Sequence, residues 1–160
     1  MDAPNQQIID DLQAACQTLA HLKEQYKTDA RTLHAMGLGW LQCRVEKWYK
    51  ASEKHLKNLM DRLFYFETGP SYNVGSVMDA DSITDLLKRA QGLVSAGLAQ
   101  YRAFRLTAWN MSGGPDYTTD IYEHAIKGLE RQGYKIAREL ALLKTLGEPG
   151  YIGARLDDSK

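Results

Sequence analysis

The side chains of this chain that could hold a metal ion stand in pairs rather than clusters. His21 and Glu24 lie three residues apart, Glu123 and His124 are adjacent, and His55 closes the run Ser52-Glu53-Lys54-His55. A histidine and a carboxylate on one helix can bind Zn²⁺ when a partner chain completes the shell. Solvated helix faces also carry such pairs as ordinary surface, so spacing leaves both readings open. His55 has two readings of its own: a half-buried ring hydrogen-bonded to Ser52, Gln132 or Tyr26, or a lone ligand for a weakly held metal. Other chemistries have no pattern to support them, since the chain contains no Ser/His/Asp set, phosphate loop or nucleotide fingerprint. Cys16 and Cys43 belong to no C-x-x-C motif and no Cys/His cluster, which fits reduced thiols in a cytoplasmic protein.

Composition narrows the class further. At 160 residues the chain is long enough for one domain with a continuous core, and its 44% hydrophobic and 25% charged content is ordinary for a globular protein. Lys+Arg and Asp+Glu are both 20, so no global charge points to nucleic acid or to an acidic membrane. No run of eighteen apolar residues and no basic, apolar leader is present, and neither a membrane span nor a signal peptide is expected.

The elements that must position these side chains are helical. Prolines at 4, 70, 115 and 149 punctuate the sequence, and between them apolar residues recur at intervals of three and four. The first block, with Leu12, Ala15, Leu19, Leu22, Tyr26 and Leu33 inward, ends near Met36–Gly39. The second, about 41–67, turns Val45, Trp48, Ser52, His55/Leu56, Leu59, Leu63 and Phe66 to one side. Residues 70–81 hold no helical period and form a long connection. Asp81-Ser82 offers an N-cap for a third helix with Leu86/Leu87, Ala90, Val94, Leu98, Tyr101 and Ala108 inward. After a turn at 110–117, a fourth helix carries Ile121, Ala125/Ile126, Leu129, Gln132, Ile136, Leu140 and Leu143 and breaks at 147–150. One short connection, one long crossover and a second short connection predict an all-α, ferritin-like four-helix bundle. The expected domain is single, 1–160, with the bundle at about 5–146 and a short C-terminal fifth helix at about 149–156.

Particular residues extend this to a family. Glu24-Gln25-Tyr26 with Ala30-Arg31 and Gly37-Leu38 resembles the first helix of bacterioferritins. Asp61-Arg62-Leu63-Phe64 through Glu67-Thr68-Gly69-Pro70 is similar to their second helix and its exit, and LLKTLGEPGYIGARL to their closing segment. The resemblance runs from about Leu12 to Leu156, with a small insertion near Ser112-Gly113-Gly114. It implies a di-iron centre inside each bundle, built from one carboxylate on each of helices one and three and Glu-x-x-His on each of helices two and four. Carried across by register, those places fall on Leu19, Ser52 and His55, Val94, and either Leu129 and Gln132 or, with helix four shifted by one residue, Glu130 and Gly133. His55 and Glu130 are therefore the candidate metal ligands. Iron needs hard oxygen donors beside imidazole, and these two cannot supply a di-iron site. Unneutralised buried carboxylates cost several kcal/mol each, whereas leucine or valine in their place adds roughly 1.5–3 kcal/mol of burial.

The methionine that holds haem between two subunits in the resembled family corresponds to Glu53. The surrounding face, Glu46, Lys50, Glu53 and Lys57, reads as a polar ladder of i,i+4 pairs, so haem is not expected. The three tryptophans and nine tyrosines suit core or subunit-contact roles. The implied function is a shell subunit of iron storage and homeostasis without its own ferroxidase activity, any iron lying in a cage interior. Its implied partners are copies of itself, from a dimer to a symmetric cage of roughly 24 subunits, or a catalytic ferritin subunit, with no nucleic acid and no membrane. The alternative is a metal-free ferritin-fold scaffold, a dimer or small oligomer reused to bind a protein or an apolar ligand.

Overall fold

The computed structural model describes residues 3–158; the outermost residues of the expected 1–160 domain (1, 2, 159 and 160) lie outside the described residues. Four helices account for nearly all of it: α1 Ala3–Ala35, α2 Gly39–Tyr65, α3 Ile83–Ser112 and α4 Tyr117–Asp158. α1 packs on α2 and on α3, and α4 packs on α3 and on α2. The backbones of the diagonal pairs α1/α4 and α2/α3 stay apart, which gives a four-cornered bundle in the order α1, α2, α4, α3. The ferritin-like connectivity follows, because the crossover after α2 places α3 across the diagonal and parallel to it. Among the described residues no helix is long and apolar enough to cross a membrane.

Local chemistry sets the helix ends. Gly37 takes φ 75° in the tight turn between α1 and α2. Ser82 accepts a hydrogen bond from the Asp85 amide at 3.1 Å and caps α3. α3 runs two residues past the expected break at 110, because nothing before Gly113 (φ 76°) requires a left-handed conformation. α4 opens on a reciprocal cap: the Thr119 amide donates to Asp116 Oδ1 and the Asp116 amide to Thr119 Oγ1, both at 2.9 Å. α4 kinks at a non-helical Gly147 (φ 71°, ψ 165°), and the helical stretch beyond that kink, ending at Asp158, covers the place of the expected C-terminal helix.

The crossover, without helix or strand, is held by side chains of the bundle. Gln13 donates to Gly69 O at 2.9 Å and accepts from the Ser71 amide at 2.8 Å. Gln25 makes the same two-way contact with Met78, and Arg89 donates to Met78 O at 2.7 Å. Polar backbone that cannot pair with itself is thereby satisfied. One apolar cluster runs through all four helices, from Ile8 and Leu12 through Leu59 and Leu63, Leu86 and Leu87, to Ile136 and Tyr151.

Candidate functional site

The middle of the bundle contains the residues that the family register singles out. Leu19, Ser52, Val94, Leu129 and Gln132 are all buried, between 0% and 3% exposed. α3 and α4 approach closely there: a Cβ added to Gly97 would lie 3.4 Å from Leu129 Cδ1, and one added to Gly133 would lie 3.4 Å from Val94 Cγ1. Leu129 and Gln132 thus face inward. Glu130 lies on the surface, where its Oε1 pairs with Arg102 at 2.9 Å.

The polar groups of this layer are few and specific. Tyr26 donates its hydroxyl hydrogen to Gln132 Oε1 at 2.7 Å, closing a buried bond between α1 and α4. The Tyr26 ring packs 5.7 Å from that of Trp48 on α2. Burial, followed by the charge of Asp29, pushes the Tyr26 phenol well above its ordinary range, so it keeps the hydrogen that it donates. Ser52 Oγ is buried without a hydrogen-bond partner. The bond that sequence reasoning offered to His55 goes to Tyr26 and Gln132 instead.

His55 sits at the edge of this layer, half-buried, with its ring laid against α4. A Cβ at Gly128 would come within 2.7 Å of His55 Nε2, so the ring occupies space that only glycine leaves open. Burial first, then the positive charges of Lys54, His124 and Arg131, lower its pKa. The ring is therefore neutral near pH 7 and carries one N–H and one lone pair. It borders a cleft of about 470 Å³ between α2 and α4, whose walls are largely basic.

The other sequence candidates do not converge. Glu123 pairs with Lys127 at 3.7 Å and Arg105 at 3.9 Å, while its neighbour His124 lines the α2/α4 cleft. His21 is covered by the crossover, where a Cβ at Gly75 would stand 3.3 Å from its Nδ1. Among the described residues no three His, Cys, Asp or Glu side chains come together as a metal-ion site. Along the expected ladder, Glu46, Lys50, Glu53 and Lys57 are exposed, but no ion pair forms within the row among the described residues. Glu46 accepts from Gln42 Nε2 at 3.0 Å. Exposed Glu–Lys pairs gain little over hydration, so their absence is unsurprising.

Sequence reasoning missed three buried acids, Asp11, Asp29 and Glu139, of which the last two are the most enclosed. Asp29 is 1% exposed, and its Oδ1 accepts from Gln25 Nε2 at 2.9 Å. Glu139, 4% exposed, accepts from Tyr151 Oη at 2.6 Å and from both Nε (3.1 Å) and an Nη (2.6 Å) of Arg155. The Arg155 guanidinium also lies 3.7 Å from the centre of the Trp40 ring.

This arrangement resembles a known structure. The fold matches that of the Rhodobacter capsulatus bacterioferritin, solved with a metal-free dinuclear site and a haem iron in a crystallographic special position. The TM-score is 0.88 at 18% identity, over 97% of this chain and 94% of that one. At that identity the likeness concerns the fold. No protein-family model matches the chain, and no curated protein matches it in sequence.

Proposed function

We propose that this chain is a ferritin-fold shell subunit, a self-assembling wall of an iron-holding particle that has no ferroxidase centre of its own. The assembly half of this reading is supported by the fold likeness, which spans nearly the whole of both chains. The observation that carries the other half is the packing of the mid-bundle layer. Leu19, Val94 and Leu129 are apolar, Ser52 has only a hydroxyl, and the Gln132 carbonyl is already engaged by Tyr26. A di-iron site needs several anionic oxygens around the ions, and of the six positions only His55 offers a good donor. These residues do not fit such a centre, and no iron chemistry is assigned to them. Glu53, on the exposed face of α2, does not fit a haem ligand either.

The test combines native mass with iron handling. Light scattering after size exclusion should give a particle of many subunits. Anaerobic Fe²⁺ addition should leave no stoichiometric iron within the bundle, and aerobic addition should consume oxygen no faster than buffer. Fast oxygen uptake would overturn the non-catalytic half, and a dimer would overturn the shell. The second reading, a metal-free bundle reused for binding, is favoured by the basic cleft beside His55, which disfavours cations.

A further inference from the structure

The α2/α4 cleft concentrates one sign of charge in a chain whose formal net charge is zero. Its walls carry Lys47 and Lys54 from α2 and Lys127, Arg131 and Lys135 from α4, and no carboxylate is among its lining residues. Lys127 shares Glu123 at 3.7 Å; the other four have no carboxylate within ion-pair distance among the described residues. The acids that could have neutralised this face are turned elsewhere. Glu130 leans to Arg102, and Glu139 is buried against Tyr151 and Arg155. Like charges held on facing walls repel one another, and an anion between them relieves the repulsion.

The floor supplies directional groups as well as charge. Gln132 uses its Oε1 for Tyr26, and this leaves the amide NH₂ as a donor on the cleft side. His55 presents its ring beside it, fixed by the space over Gly128. An arginine fork, several ammonium groups and a floor amide are the kit that recognises phosphate oxygens. The volume of about 470 Å³ falls in the range of small-molecule sites. A single strand of nucleic acid would need an exposed ring to stack on, and the aromatic residue of this cleft, Trp48, is only 4% exposed.

We infer that this cleft is a binding site for a small polyphosphate-bearing anion, held by Lys54, Lys127, Arg131 and Lys135 on its walls with Gln132 and His55 beneath. The site belongs to the single chain and does not depend on assembly into a shell or on any iron chemistry.

The experiment is calorimetric titration of the full chain with inorganic triphosphate at low salt, with orthophosphate and a short oligothymidylate as comparators. One triphosphate per chain should bind saturably, at least about tenfold more tightly than orthophosphate, and should weaken as salt is raised. The double variant Lys54→Ala/Arg131→Ala should lose about tenfold or more in affinity, whereas Lys88→Ala on α3 should match the parent. All three side chains are exposed, so folding is not at stake. As a second readout, triphosphate should shift the His55 ring proton resonance (assigned with His55→Gln) and raise that ring's pKa. No saturable binding up to millimolar triphosphate would overturn the assignment. So would an equal loss in Lys88→Ala, tighter binding of the oligonucleotide, or a His55 resonance that does not move.

Discussion

Asp29 carries a pH dependence that follows from its surroundings. Its Oδ2 is buried without a partner while Oδ1 accepts from Gln25. Burial pushes the carboxyl up to about 6, against the opposing effects of the Gln25 hydrogen bond and the Arg89 charge, with Asp79 adding a smaller upward push. In the unfolded chain the group titrates near its ordinary value, so between about pH 4 and pH 6 the native state binds more protons. Stability should therefore fall as pH rises through that window, by an amount on the order of 2 kcal/mol, and stay level above it as far as Asp29 is concerned. Urea unfolding of the parent and of Asp29→Asn checks this; identical slopes in the two proteins would refute the assignment. The Tyr26–Gln132 bond supports a second expectation. Gln132→Leu leaves the Tyr26 hydroxyl buried and unpaired and should cost about 1–3 kcal/mol, much of it recovered by adding Tyr26→Phe. A double-mutant cycle with no coupling would show that the bond contributes nothing. Neither residue's role was legible in the sequence. An apolar period marks Gln132 as inward but names no partner 106 residues away, and it assigns Asp29 no role at all.

At the scale of elements, the inward faces were legible because 3.6-residue periodicity is physical: Leu12, Leu19, Leu59, Leu63, Leu87 and Ile136 all lie in the core as spaced. The register of α4 stayed open in the sequence because Gly128 and Gly133 flank the choice and carry no hydrophobic mark. In the fold those glycines are the close-approach points to His55 and Val94. The basic cleft was invisible for a different reason. Its cations come from segments about eighty residues apart and are cancelled in any overall charge count. Helix ends yield two further predictions. α2 stops with Glu67 at φ 58°, a left-handed conformation that glycine adopts freely. Glu67→Gly should leave stability unchanged or raise it by up to about 1 kcal/mol in thermal unfolding, whereas Glu67→Val should lower it. Glu139→Ala removes the acceptor that binds Tyr151 and Arg155 and leaves the guanidinium over Trp40 without its carboxylate. A loss of about 2–4 kcal/mol is expected, with faster proteolysis beyond Gly147. If the cleavage pattern beyond Gly147 matches the parent's, Glu139 is not what docks that segment.

For the whole molecule, the important feature is that one apolar cluster crosses all four helices and reaches the segment beyond Gly147 through Tyr151. The hairpins α1/α2 and α3/α4 are each covered by the other, so neither can open without exposing the leucines and tyrosines between them. That contact is built from α1 on α3, with the buried bond from Tyr101 Oη to Ala15 O at 2.7 Å, from α2 on α4, and across the diagonal from the Tyr26–Gln132 bond between α1 and α4. We propose on this ground a single domain that unfolds in one cooperative step. Far-UV circular dichroism reports all four helices, while tryptophan emission reports Trp40 and Trp48 on α2 and Trp109 on α3. Their denaturation midpoints should coincide. Leu59→Ala, at a fully buried position on α2, should move both by the same amount, corresponding to about 2–5 kcal/mol. Separate midpoints, or a shift seen by emission alone, would mean that the two hairpins fold independently. In that case the mid-bundle layer around Gln132 would be an interface between two folding units, and the closed core invoked against a metal centre would have to be reconsidered as a seam able to open.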